Sequence, residues 1–505
     1  MGAPGAAAYD QGSMQLPLPL PDSIALGDET APPRSERVFV NRTLRMDQIE
    51  AVGFDMDYTL AIYRQEAMDR QSIAAALPKL IAKGYPDRIL SIEPQLSYAT
   101  RGLLVDRKHG NVLKMDRYRY VKRAIHGYRE LTVAERRDLY HKKRIVAAGG
   151  RFHFVDTLYA LCEVALYAAI IDALEGDGHT LDYEKLWNDI RGSVDASHQD
   201  GTILDPVLAD LPRFVARDPE LAPMLHKLRS SGKRLFLLTN SQPAYTDTMM
   251  RYLLSDQLSG YPSWKRYFDA VVTAARKPSF FDGVTPFQEW TDGKLVAAES
   301  IERGRVYVGG NLAELERALG LVGDRVLYVG DHIYGDVLRA KKEGAWRTMM
   351  IVQEMEEELA VVERTIGDAE RIEAIEQHRE RLVDEQRARQ HRVKKLQRTL
   401  DEDTDRTLPA RAELEAERMI HRRALDRLRA RLDAVEAEYA ELERRLESSF
   451  HPYWGSIFRA GPEVSGFGDQ VEEFACLYTT KASNLAHYSA SHFFQSPRER
   501  MPHEL

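Results

Sequence analysis

Four short apolar runs, each followed at once by polar residues, constrain this chain more than any other feature: IEAVGF before Asp55, RLFLL before Thr239, DAVVTA before Lys277 and RVLYV before Gly330. Each is rich in Val, Leu, Ile or Phe and too short for a helix, as parallel strands buried on both faces should be. From Arg37 onward such runs alternate with helical patterns, which predicts an α/β chain with a Rossmann-like core and a parallel sheet. Ligands of such sheets sit beyond the carboxyl ends of the strands, so the polar residues after each run are the first candidates for chemistry.

At 505 residues with 44% apolar content, the chain can bury a large core and should divide into two or three domains. About 180 residues separate the first run from the second, too many for one crossover helix. They predict an inserted, mainly helical cap, with helical stretches near 72–83, 152–174 and 183–194. Over 354–400 and 410–447 the composition shifts to Glu, Arg, Leu and Ala, with the DEDTD stretch and Pro409 between. In the second stretch Leu425, Leu428, Leu432, Val435, Tyr439, Leu442 and Leu446 alternate spacings of three and four, the seam of a coiled coil. The short connection predicts a long antiparallel coiled-coil hairpin, with two helices lying on the core or on a partner subunit as the alternative. The expected division is a flexible arm over 1–34, core over 35–64, cap over 65–218, core again over 219–352, hairpin over 353–449, and a tail over 450–505 that packs on the core.

Composition narrows the function. A net charge of −8 offers no basic field for polynucleotide phosphates. Cys162 and Cys476 are the only cysteines and lie far apart, which argues against a disulfide framework or a zinc site. The start of the chain is Ala, Gly and Pro rich and reads as a flexible arm rather than a signal peptide, so a cytoplasmic location is expected. The most apolar stretch, 152–174, is interrupted by Asp156, Glu163 and Asp172, which suits a buried helix and no membrane span.

Asp55 and Asp57 stand two residues apart where the first strand gives way to a loop. One carboxylate there could attack phosphorus while the second protonates the leaving oxygen and then activates water. Thr239, Asn240 and Ser241 offer neutral donors for phosphate oxygens. Lys277 offers a cation against the charge on a transferring phosphoryl group. In Gly330-Asp331-His332-Ile333-Tyr334-Gly335-Asp336, Asp331 is placed to bind Mg²⁺ with Asp55 and Asp57, since that ion takes few hard oxygen ligands from protein. Asp336 would join that metal group, holding a coordinated water or orienting Lys277. Each string alone has an ordinary explanation: a turn, a helix cap, a solvated lysine. Their order, each at the end of its own strand, resembles the haloacid dehalogenase-like phosphatases.

A narrower resemblance rests on RVFVNRTLRMDQIEAVGFDMDYTLA, ARKPSFF, GDHIYGDVL and the MPHE near the C-terminus, which are similar to the cytosolic purine 5'-nucleotidase family over nearly the whole chain. It implies Mg²⁺-dependent hydrolysis of nucleoside 5'-monophosphates, IMP or GMP first, through an aspartyl phosphate, with transfer to a nucleoside as a side reaction. It also implies a cap in which Tyr159 stacks the base and Arg191, Asp195 and His198 hold its edge. Departures fall at Leu204, where family members carry a lysine, and at Gln199 and Asp200. The resemblance further implies a homo-oligomer and a nucleotide effector near Tyr334 and Lys342, with Asp156 where the family has asparagine. The rival readings are a phosphatase of another small phosphomonoester, such as a sugar phosphate, and a coiled-coil scaffold with a vestigial core.

Overall fold

The computed structural model describes residues 32–141, 145, 150–291, 293–402 and 407–497. Most of the expected N-terminal arm, the MPHE sequence and much of DEDTD lie outside the described residues.

The four runs form adjacent strands of a ten-stranded sheet. They are β1 (Ala51–Phe54), β2 (Arg234–Leu238), β3 (Ala270–Thr273) and, after β4 (Tyr307–Gly309), β5 (Val326–Gly330), followed by β6 (Arg347–Ile351) and β7 (Leu477–Thr479). Their order across the sheet is β7-β6-β5-β1-β2-β3-β4, every pairing parallel. Antiparallel strands close both edges, Phe39–Val40 beside β7 and the Phe287–Thr291/Lys294–Ala297 hairpin beside β4. The chain runs outward from β1 through β2, β3 and β4 on one side and returns as β5, β6 and β7 on the other. The crevice between β1 and β5 is therefore where the winding reverses, and there strand ends leave room for a ligand. Register places Phe54 beside both Val329 and Leu237, so the residues that follow emerge at one level.

Between β1 and β2 the insertion carries helices Gln65–Ala82, Leu161–Gly176 and Tyr183–Gln199. It also carries a five-stranded antiparallel sheet, Leu104–Asp106, Asn111–Met115, Val121–His126, Arg129–Glu130 and Phe152–Phe154, that the sequence reading did not include. The stretch expected as one helix from 152 begins as a strand, makes a 3₁₀ turn over Leu158–Ala160 and becomes α-helical at Leu161. Asn111 and Lys114 hide the strand signal because tertiary partners satisfy them. Asn111 donates to the Tyr140 hydroxyl at 2.8 Å, and the Lys114 ammonium to the Trp454 and Ser456 carbonyls. Nothing local announces such partners.

The expected helix over 354–400 is interrupted. Met355–Arg364 ends at Thr365, whose hydroxyl bonds back to the Val361 carbonyl, and a second helix runs Ile366–Glu402. The returning helix, Leu408–Ser449, has Pro409 inside its first turn rather than in the break, where the missing N–H is harmless. The two lie antiparallel, cross-linked by Arg371–Glu438 and Arg392–Glu417 around a small core of Leu382, Leu428 and Leu432. No helix among the described residues is long and apolar enough to cross a membrane.

Candidate active site

Asp55 leaves β1 with its main-chain N–H on the Val329 carbonyl of β5 at 2.9 Å, and its Oδ1 accepts from the Met56 N–H at 2.8 Å. Across the crevice Asp331 follows β5, and the chain then widens into a π-helical turn over Ile333–Leu338 that folds Asp336 back beneath it. Gly330 makes this approach feasible, because a Cβ there would stand 2.6 Å from the Asp336 carboxylate. One oxygen from each of Asp55, Asp331 and Asp336 falls within 4.8 Å of the others, all three residues being buried.

Lys277 closes the group. Its ammonium lies 2.6 Å from Asp336, 2.9 Å from Asp55 and 3.0 Å from the Tyr328 hydroxyl. The loop that delivers it holds Ala274 and Arg276 at positive φ, 42° and 60°, a conformation non-glycine residues rarely adopt. Asn240 supports that loop, giving its amide to the Lys277 carbonyl at 3.0 Å and accepting from the Lys277 N–H at 2.6 Å. Asn240 was expected on phosphate oxygens; both ends of its amide are instead engaged with Lys277, the neighbour that the parallel β2–β3 pairing supplies.

Asp57 turns away from the three carboxylates. Ser241 and Tyr63 each donate to it at 2.6 Å and Thr239 stands 3.5 Å off, while Tyr245 contacts the Tyr63 hydroxyl at 2.8 Å. Thr239 Oγ1 also accepts from the Ser241 N–H at 3.1 Å. Burial raises the pKa of Asp57, and those donors oppose the rise. Burial likewise pushes Asp55 well up against the pull of Lys277, and Asp331 up to about 7 against the pull of Arg101. For Lys277 burial works against the charge, but Asp336 and Asp55 more than offset it and its pKa rises.

Asp55 and Asp336 share the Lys277 ammonium, and the Arg101 guanidinium 4.0 Å from Asp331 is itself held by Glu354, so the three buried carboxylates are short of positive charge. Their donor set, hard oxygens converging on one point, fits a small divalent cation, which would let all three ionise together.

The half-buried Tyr159 ring lies edge-on to Tyr58 at 4.8 Å and against His198 at 5.7 Å. Burial lowers the His198 pKa, while Asp195 and Asp57 act in the other direction. Arg191 meets the buried Glu163 at 3.3 Å and approaches His153 at 3.5 Å, whereas Asp195 is exposed. Asp156 is paired with His332 at 3.0 Å, joining cap to core. Tyr334 is 45% exposed with the Arg339 guanidinium over its ring, and Lys342 is exposed.

The sequence reading missed several partners. Tyr63 and Tyr245 position Asp57, Tyr328 positions Lys277, and Glu163 faces Arg191. Arg101 reaches from the insertion to the Asp331 carbonyl at 2.6 Å and grips Glu354 with two bonds of 2.7 Å. Tyr328 was legible as a polar group at the centre of a buried strand; Arg101 had no local signal.

A family model described as the 5' nucleotidase family matches residues 38–505. A 5'-nucleotidase domain-containing protein of Dictyostelium discoideum is 28% identical over 482 residues, 93% of this chain and 75% of that one. The 5'-nucleotidase domain-containing protein 2 of Rattus norvegicus is 28% identical over 484 residues, 92% of this chain and 80% of that one. Among solved structures, a predicted phosphoglycolate phosphatase of Haemophilus somnus covers 60% of this chain and 86% of its own at 10% identity and a TM-score of 0.27, so the fold assignment rests on strand order and family rather than on that likeness. With Asp55, Lys277, Asp331 and Asp336 gathered at the carboxyl ends of one parallel sheet, the chain belongs to the 5'-nucleotidase family and is a phosphomonoester hydrolase.

Proposed function

We propose that this protein hydrolyses purine nucleoside 5'-monophosphates, IMP and GMP first, with Mg²⁺ and through a phosphoryl group carried on Asp55. The observation that supports this most is the meeting of Asp55, Asp331 and Asp336, with the Lys277 ammonium on the first and last of them.

Asp55, Asp331 and the main-chain carbonyl of Asp57 would hold the ion, with Asp336 beneath. When bound, Mg²⁺ neutralises charge on the phosphoryl oxygens and keeps Asp55 ionised. Asp55 attacks phosphorus in line. Asp57, held in place by Ser241 and Tyr63, gives its proton to the ribose oxygen, and the nucleoside departs. Asp57 then takes a proton from water, which attacks the acyl phosphate and releases phosphate and free Asp55. Lys277 and Thr239 bind the phosphoryl oxygens throughout. A nucleoside that intercepts the acyl phosphate before water makes the same site a phosphotransferase. Tyr159 stacks the base, with Arg191, Asp195 and His198 along its edge. An effector site at Asp156, Tyr334 and Lys342, a homo-oligomer and a cytoplasmic location complete the proposal.

The test is phosphate release by purified protein from IMP, GMP, AMP and a sugar phosphate, with Mg²⁺ and after chelation. Purine monophosphates should lead, chelation should abolish release, and Asp55→Asn should lower kcat by at least about a thousandfold. Equal rates on all substrates would remove the purine assignment, and an active Asp55→Asn would remove the mechanism.

A further inference from the structure

We propose that two copies of this chain associate through their helical hairpins, lying antiparallel so that the basic outer half of each covers the acidic inner half of the other. This rests on the homo-oligomer of the proposed function and gives it an interface, and it stands apart from the reading of the active site.

Charge is segregated along the hairpin. The inner half, 366–385 with 432–449, carries thirteen acidic and five basic residues; the outer half, 386–400 with 408–431, carries thirteen basic and four acidic. The connection, 401–407, adds four acids and one arginine. The inner end is tied to the body of the molecule by Arg123–Glu447. Helices of 37 and 42 residues make a rod about 55 Å long at about 1.5 Å per residue. The centres of its halves then stand several Debye lengths apart, each length being about 8 Å, so within one chain the halves relieve each other at their boundary, through Arg387–Asp384 and Arg389–Glu385, and not along their length.

Local pairing does not neutralise the outer half. Arg392–Glu417, Arg411–Glu415 and Arg429–Asp426 close within the hairpin. Lys394, Lys395, Arg398, Arg422 and Arg423 are exposed, and among the described residues none of them forms an ion pair. A surface of this kind needs a partner of opposite sign and similar length. The chain carries one, on the same rigid rod. A two-fold rotation about the rod's midpoint sets each half against its complement twice over and closes the assembly at two copies. A polynucleotide is the weaker occupant, because the net charge of −8 on the chain opposes its approach.

The experiment is light scattering on the full chain over a salt series from about 50 mM to about 0.5 M. Association should weaken at least tenfold across the series. A variant carrying Lys394→Glu, Lys395→Glu, Arg422→Glu and Arg423→Glu should run as a single chain, as should one carrying Glu370→Lys, Glu373→Lys, Asp433→Lys and Glu436→Lys. Mixed in equal amounts, the two should form a one-to-one complex, and each should still release phosphate at the parental rate. A parent that stays a single chain at low salt, variants that associate as the parent does, or a parent that binds heparin while remaining single would each overturn the proposal.

Discussion

Gly330 shows how much of this site hangs on one hydrogen atom. A methyl group there would overlap the Asp336 carboxylate, so Gly330→Ala must displace either that side chain or the turn carrying it. Because Asp336 anchors Lys277 at 2.6 Å, the expected outcome is a fall in kcat of about a hundredfold with a smaller change in overall stability. Steady-state kinetics beside a thermal melt check it; a variant with parental kcat would mean that Asp336 need not sit where it does. The residues that carry charge here, Asp55, Asp57, Lys277, Asp331 and Asp336, were legible because each follows a recognisable strand. Their supports were not: Tyr63, Tyr245 and Arg101 come from elements whose position no local pattern reveals.

The hairpin is the element whose stability is most nearly its own. Leu428 is 4% exposed and packs with Leu382 and Leu432, the only buried cluster made wholly of hairpin residues among those described. Leu428→Ala should cost about 2–4 kcal/mol locally. Hydrogen exchange should quicken through Ile366–Glu402 and Leu408–Ser449 while kcat stays unchanged. Uniform loss of protection over the sheet as well would show that the hairpin does not open separately. Its helices were readable from a spacing that needs only the chain itself. The five cap strands were not, because Asn111, Lys114 and Asp106 interrupt their apolar pattern and are tolerated through partners such as Tyr140 and Arg151.

For the whole molecule the cap must sit correctly on the sheet, and Arg101 is a main tie between them. It is 1% exposed, so Arg101→Met leaves Glu354 and the Asp331 carbonyl without their partner. The expected cost is about 3 kcal/mol, and half-activation should need at least about tenfold more Mg²⁺; an unchanged Mg²⁺ titration would count against its hold on Asp331. A different tie, between helix Met355–Arg364 and the C-terminal segment, answers to pH. Glu358 accepts from the Ser456 hydroxyl at 2.8 Å and from the Ile457 N–H, and burial raises its pKa from 4.5 to about 7 despite those bonds. A raised folded-state pKa means the protonated form is favoured in the fold. That stability is full below about pH 4.5 and is lost as pH rises through about 7, by at most about 3 kcal/mol. Glu358→Gln should therefore gain stability relative to the parent over that interval; parallel curves of unfolding free energy against pH would refute it. By itself the sequence determined the four central strands and the order of the polar motifs that follow them, because burial and strand period are properties of a segment. Tertiary structure alone decided which oxygens meet, that Asn240 holds the lysine loop rather than facing an open phosphate site, and how the cap is latched, since those depend on contacts between segments hundreds of residues apart.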